Sequence, residues 1–130
     1  MVNVQYTFAY AAVLALLYVA LSVRVISHRV KTKVLLGDGS NQGLSAAIRT
    51  HANFGEYVPL ALILIYGVEA FNYPAYFVHI LGGVLVLARL IHVHGIASKG
   101  AAGLGRPVGT ILTLSILVSG SVLVLVKIFA

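Results

Sequence analysis

Apolar residues fall in four long runs, at about residues 6–23, 45–70, 75–94 and 108–129, separated by short polar or glycine-bearing segments. Roughly 20 apolar residues in helical conformation cross the hydrocarbon of a bilayer, so each run predicts a membrane-spanning α-helix. Short connections make consecutive helices antiparallel. The expected fold is an all-α integral membrane protein, a four-transmembrane-helix bundle of up-down topology.

The first run ends in a basic cluster of Arg24, His28, Arg29, Lys31 and Lys33. Leu36-Gly37-Asp38-Gly39-Ser40-Asn41 follows, and its glycines and aspartate stop the helix. Glu69, Asn72, Tyr73 and Pro74 form the next corner, in which Glu69 is expected to be a solvated carboxylate. A glycine-rich loop over residues 95–107 carries Lys99 and Arg106. The bias of lysine and arginine puts loops one and three in the cytoplasm and both termini on the other side, with Lys127 alone opposing. Met1-Val2-Asn3-Val4-Gln5 contains no basic residue, so the first run is read as a retained span and not a signal peptide.

The second run breaks its own pattern. Arg49, His51, Asn53 and Glu56 interrupt it, and Pro59 lies inside it. At about 100° per residue Arg49, Asn53, Glu56 and Tyr57 share one face, His51 and Phe54 point elsewhere, and Glu56 lies about 10 Å along the axis from Arg49. Ionisable groups at membrane depth are costly and mark functional sites by default, although an Arg49 and Glu56 pair locking helices together would also account for them. In the third run Gly82 and Gly83 leave room for a neighbouring helix, Arg89 and His92 share a face, and His94 points away. The fourth run carries Gly109, Thr110, Thr113, Ser115, Ser119, Gly120 and Ser121, read as helix-packing residues.

Composition closes off other classes. With 60% hydrophobic residues, 9% charged residues and a mean hydropathy of +1.01, residues 1–130 make one four-helix membrane domain and leave no length for a soluble one. There is no cysteine, hence no disulfide or thiolate metal site, and any thiol chemistry must come from a bound molecule. The net charge of +6 does not point to nucleic acid, because the basic residues sit at the ends of apolar runs and form no patch with aromatics. His51, His92 and His94 lack metal-ligand spacing, so no metal is expected, and neither a nucleophile elbow nor a phosphate loop is present.

In an up-down bundle Arg29, the Arg49, Asn53, Glu56 and Tyr57 face, Arg89, His92 and Arg106 gather toward one end as a polar pocket in an apolar wall. Guanidinium forks hold carboxylates bidentately, and a carboxylate with an amide holds an ammonium and peptide groups. A small zwitterionic or polyanionic ligand fits that set, and the tripeptide glutathione has such a pattern of charges. An arginine beside a bound thiol favours its thiolate and so makes a nucleophile at neutral pH.

These residues resemble the family of membrane-associated proteins in eicosanoid and glutathione metabolism, the MAPEG family. Arg49-Thr50-His51-Ala52-Asn53-Phe54-Gly55-Glu56-Tyr57-Val58-Pro59 is similar to its second-helix signature. Val25-Ile26-Ser27-His28-Arg29, Ala88-Arg89-Leu90 with His92, and Arg106-Pro107 support it, and the Gly37-Asp38-Gly39 loop resembles the compact bacterial branch. The resemblance implies a homotrimer in a bacterial inner membrane, binding glutathione as co-substrate between subunits near the cytoplasmic face. By matching positions Arg49, Asn53, Glu56 and Tyr57 of one subunit and Arg29 of its neighbour would bind glutathione. Arg89 and His92 would line the site, and Arg106 would be the catalytic residue that activates the thiol. Val30 and Ile96 depart from relatives that have a second arginine and a ligand-contacting tyrosine there, and His92 matches the prostaglandin-forming branch.

The expected function is a glutathione-dependent transferase or peroxidase acting on lipophilic small molecules that arrive from the bilayer. The alternative is a non-catalytic trimer of the same family that binds membrane lipids or serves as a scaffold. A small transporter is disfavoured, since the charges gather at one end instead of along a midplane path.

Overall fold

The computed structural model describes residues 4–99 and 104–130, apart from the side chains of 96–99. It is all helical: α1 (Gln5–Thr32), α2 (Gln42–Ala70), α3 (Ala75–Lys99) and α4 (Gly105–Phe129). Each helix outruns its apolar run. Arg24, His28, Arg29 and Lys31 of the basic cluster expected to follow the first span belong to α1 itself, because lysine and arginine are good helix formers and complement the negative C-terminal pole. The helix stops at Lys33, whose left-handed φ of 55° lets its N–H bond the Arg29 carbonyl. The loop expected over residues 95–107 is likewise shorter, with α3 continuing to Lys99; Gly100, Ala101, Ala102 and Gly103 lie outside the described residues, as does the side chain of Ile96.

Three helices, α1, residues Ala75–Gly95 of α3, and α4, are long and apolar enough to cross a membrane, with mean hydropathies of 2.1, 1.8 and 2.3. The 29-residue α2 is the exception: Arg49, His51, Asn53, Glu56 and Glu69 dilute its apolar content. It occupies the middle of the bundle, where α1 packs against α2 and α3, and α4 against α3 and α2. Its Phe54, Val58, Ala61, Ile65 and Val68, spaced three or four residues apart, build one wall of the core, met by Leu14 and Leu21 of α1, Val78, Leu81 and Leu85 of α3, and Ile116 of α4. Large apolar side chains such as Leu16 and Val118 cover the outside, at 73% and 63% exposure. That distribution suits lipid and not water, and the chain is a four-helix membrane protein.

Glycines set how closely the helices approach. A Cβ on Gly109 of α4 would lie 2.7 Å from the Cβ of His92 on α3, so at that level only glycine lets the two helices touch. Gly82 does so differently from expectation: it makes room for the ring of Tyr10 from α1, whose hydroxyl bonds His79 at 3.1 Å, and not for another backbone.

Glu69 is not solvated. It is buried at 6% exposure, and its carboxylate accepts hydrogen bonds from the backbone of Tyr6 (2.9 Å) and Thr7 (2.7 Å) and from the Thr7 hydroxyl. The first turn of α1 has no side-chain cap of its own at Val4, and Glu69 serves as that cap from α2.

Candidate functional site

The polar face of α2 begins with a well-formed helix start. Asn41 accepts the Leu44 N–H at 2.9 Å through Oδ1, and Asp38 closes the preceding turn by accepting the Ser40 N–H at 3.0 Å. The Ser40 N–H, followed by the Ser45 hydroxyl, holds the Asp38 carboxyl below its ordinary value. From this start the helix presents Arg49 and Glu56 at the protein surface, with Asn53 and Tyr57 half-buried to one side of them. Arg49 and Glu56 form neither an ion pair nor a hydrogen bond among the described residues, so the locking pair is not made within one chain.

Arg89 of α3 lies inside the subunit, at 1% exposure. Its Nη1 donates to Asn53 Oδ1 at 2.9 Å, and its Nη2 donates to the Gly109 carbonyl at 3.0 Å and to the Thr113 hydroxyl. One guanidinium thus ties α2, α3 and α4 through neutral acceptors, and Nε is buried without a partner. His92, one turn along α3, is buried at 3% exposure beneath Gly109. Sequence reasoning puts Arg89 and His92 on the wall of a pocket, whereas the structure puts both in the seam between α3 and α4. The sequence held no sign that Thr113 serves this arginine beyond its being a hydroxyl at a packing position.

The Arg89 contact also orients Asn53. A guanidinium offers only donors, so the amide oxygen must face it and the amide nitrogen is left to donate outward. Arg106, in the first turn of α4, is exposed and lines an open depression of about 430 Å³ with Pro107, Thr110 and Ile111. Asn53 of α2, Arg89 and His92 of α3 and Gly109 of α4, one turn past Arg106, thus meet in one region. Arg29 does not join them. Its Nη1 bonds the carbonyls of Val34 (3.3 Å), Leu35 (3.0 Å) and Gly37 (3.0 Å) in its own loop, while Nε and Nη2 make no hydrogen bond among the described residues.

Away from the charged face, α1 and α2 enclose an apolar groove of about 280 Å³, lined by Ala11, Leu14, Ala15, Tyr18, Phe54, Gly55, Val58, Pro59 and Leu62. At its end the Tyr18 ring stacks on His51 (4.5 Å between centroids) and on Phe54 (5.4 Å), and Ser22 Oγ lies 3.0 Å from His51 Nε2. The groove is shaped for hydrocarbon and the α2 face for charge, a pairing suited to joining a polar reagent to an apolar one.

Residues 7–126 match the MAPEG family. Among curated proteins, the chain is 40% identical to the inner membrane protein YecN of Escherichia coli strain K12 over 86 residues, 66% of each chain. The protein of the same name in the O6:H1 strain CFT073 matches equally, at 40% over 86 residues.

Proposed function

The chain belongs to the MAPEG family, and on that premise we propose that it binds glutathione at a seam between copies of itself and delivers the thiolate to lipophilic electrophiles from the bilayer. The observation that carries the proposal is the bare polar face of α2. Glu56 falls at the middle of α2 and is exposed, as is Arg49 two turns before it. An ionised side chain facing lipid at mid-helix costs about 2.5–3.5 kcal/mol on insertion scales, so this face calls for a cover. A second copy supplies one, and we propose a homotrimer. In it Glu56 and the Asn53 amide nitrogen would take the ammonium and peptide groups of glutathione, with Arg49 and Tyr57 on its carboxylates. The free Nε and Nη2 edge of Arg29 from the neighbour would complete the grip. Arg89 would act as a positioning residue by holding Asn53, with His92 packed beside it.

Arg106 would stabilise the thiolate, since a nearby cation favours the charged form of a thiol. The thiol proton passes to solvent, and the sulfur pair forms a carbon–sulfur bond as the leaving atom takes the electrons of the bond that breaks. The apolar groove between α1 and α2 suits the lipophilic partner. We place the protein in the inner membrane, with the α1–α2 and α3–α4 connections cytoplasmic by their charge.

A non-catalytic lipid-binding or scaffolding trimer is the second reading, and the burial of Arg89, whose Nη1 and Nη2 are both spent on acceptors within the subunit, favours it. Ultraviolet titration of the purified protein in detergent separates the two. Glutathione should give a thiolate band that disappears in Arg106→Ala; binding without that band, or none, would favour the scaffold.

A further inference from the structure

The α1–α2 connection shows an unusual economy of hydrogen bonds for a loop in water. Arg29 turns one nitrogen back onto the carbonyls of Val34, Leu35 and Gly37, and the Val34 N–H bonds the Arg29 carbonyl at 3.3 Å. Asp38 accepts from Ser40 N–H through its side chain and from Asn41 N–H through its carbonyl at 2.9 Å. In water these carbonyls would be solvated, and immobilising a long arginine to replace that solvation gains little. Where water is scarce, each irregular carbonyl left bare is expensive, and only internally satisfied backbone is tolerated.

The side chains agree with the backbone. Val34 packs inward over Gly39, where a Cβ would lie 2.6 Å from Val34 Cγ2 and where φ is +55°. That fold turns Leu35 and Leu36 outward, at 87% and 89% exposure, the barest leucines of the described residues. Lys31 and Lys33 immediately precede them in the chain, the Arg29 guanidinium lies on the loop carbonyls, and Asp38, already engaged, is the acid of this connection. His28 is half-buried on the same end of α1, its ring near Gly43.

We propose that this loop is an anchor in the membrane interface, with Leu35 and Leu36 seated at the boundary of headgroups and acyl chains and Lys31 and Lys33 on the phosphates of anionic lipids. Two adjacent apolar side chains within a cationic rim match an anionic bilayer surface in both chemistry and charge. Arg29 is what makes the seat possible, by satisfying the loop carbonyls before they leave water. The inference goes beyond the proposed reaction and does not depend on it.

The chain contains no tryptophan, so Leu35→Trp introduces a sole reporter. The full-length variant is placed in vesicles of phosphatidylglycerol and phosphatidylcholine, with bromines near the headgroup end or the tail end of the acyl chains. Emission should be blue-shifted and fall by at least half with headgroup-end bromines, and less with tail-end bromines. Arg29→Ala in the same background should shift emission to the red and remove the quenching while helicity persists. Lys31→Glu with Lys33→Glu should weaken quenching in the mixed vesicles and not in pure phosphatidylcholine. Leu36→Trp repeats the measurement if Leu35→Trp fails to fold. Red emission quenched by aqueous iodide would overturn the proposal. So would blue emission indifferent to brominated lipid, which would mean that another copy of the chain covers the loop, and so would an Arg29→Ala loop that stays quenched.

Discussion

Glu69 Oε2 accepts the backbone N–H of Thr7 at 2.7 Å, so a carboxylate in the last turn of α2 closes the first turn of α1. By its own helix dipole an acid at a C-terminus is at the wrong pole, and the position makes sense only through the positive pole of α1 opposite it. The same carboxylate takes the Tyr6 N–H and the Thr7 hydroxyl, so a single side chain satisfies the start of a helix 62 residues away in sequence.

Removing that contact should loosen α1. Glu69→Ala is expected to cost about 2 kcal/mol or more, since it deletes a cap and leaves buried donors unsatisfied. Glu69→Gln should fall between, because its amide keeps one acceptor and turns a donor toward the other N–H. Thermal unfolding in detergent, followed by helical circular dichroism, orders the three proteins.

The Arg89 seam predicts an asymmetry. Asn53→Leu leaves Nη1 of a buried, permanently charged guanidinium without its acceptor, whereas Arg89→Met removes the charge and leaves neutral groups, the half-buried Asn53 amide and a Gly109 carbonyl that keeps the Thr113 hydroxyl. Asn53→Leu should therefore destabilise more than Arg89→Met, and the double variant should show a coupling of about 0.5–3 kcal/mol. Unfolding midpoints of the single and double variants test it.

Close helix approach gives a second contrast. Gly109→Ala drives a methyl into the Ala88 carbonyl and His92 backbone of α3 and should cost about 1–3 kcal/mol. Gly83→Ala, whose nearest neighbour is the Tyr10 hydroxyl at 4.0 Å, should be neutral or slightly stabilising. Melting temperatures of the two variants, measured side by side, decide it.

Asp38 gives a pH dependence confined to acid. Its carboxyl is held below the usual 3.8, first by the Ser40 backbone and then by the Ser45 hydroxyl, so its stabilisation of the turn is complete above that value and lost as pH falls through the folded value. Protection of the Ser40 amide from hydrogen exchange should be independent of this group at neutral pH and drop in acid. Asp38→Asn should show the weakened protection at every pH.

The four helices were legible because membrane-length apolar runs carry their own ruler. Their ends were not, since the basic residues after Val23 and the short stretch Gly95-Ile96-Ala97-Ser98-Lys99 break the apolar runs yet continue the helices. Periodicity grouped Arg49, Asn53, Glu56 and Tyr57 on one face, which the structure leaves bare or half-buried. It could not show that Arg89 turns inward, because a shared helical face says nothing of which neighbour meets it. Glu69 was misread for the same reason. A carboxylate at a helix end is ordinarily solvated, and only tertiary packing brings the start of α1 beneath it.

The central claim is that the Glu56 carboxylate faces a ligand and does not serve as a lock. Glutathione binding to the purified protein in detergent, measured by titration calorimetry with the assembly mass from sedimentation, tests it most directly. Glu56→Gln should weaken binding by about 10-fold to 100-fold, as loss of a charge-assisted hydrogen bond does, and leave the mass unchanged. Unaltered affinity in Glu56→Gln, no binding by the unsubstituted protein, or an assembly that falls apart in the variant would contradict the account.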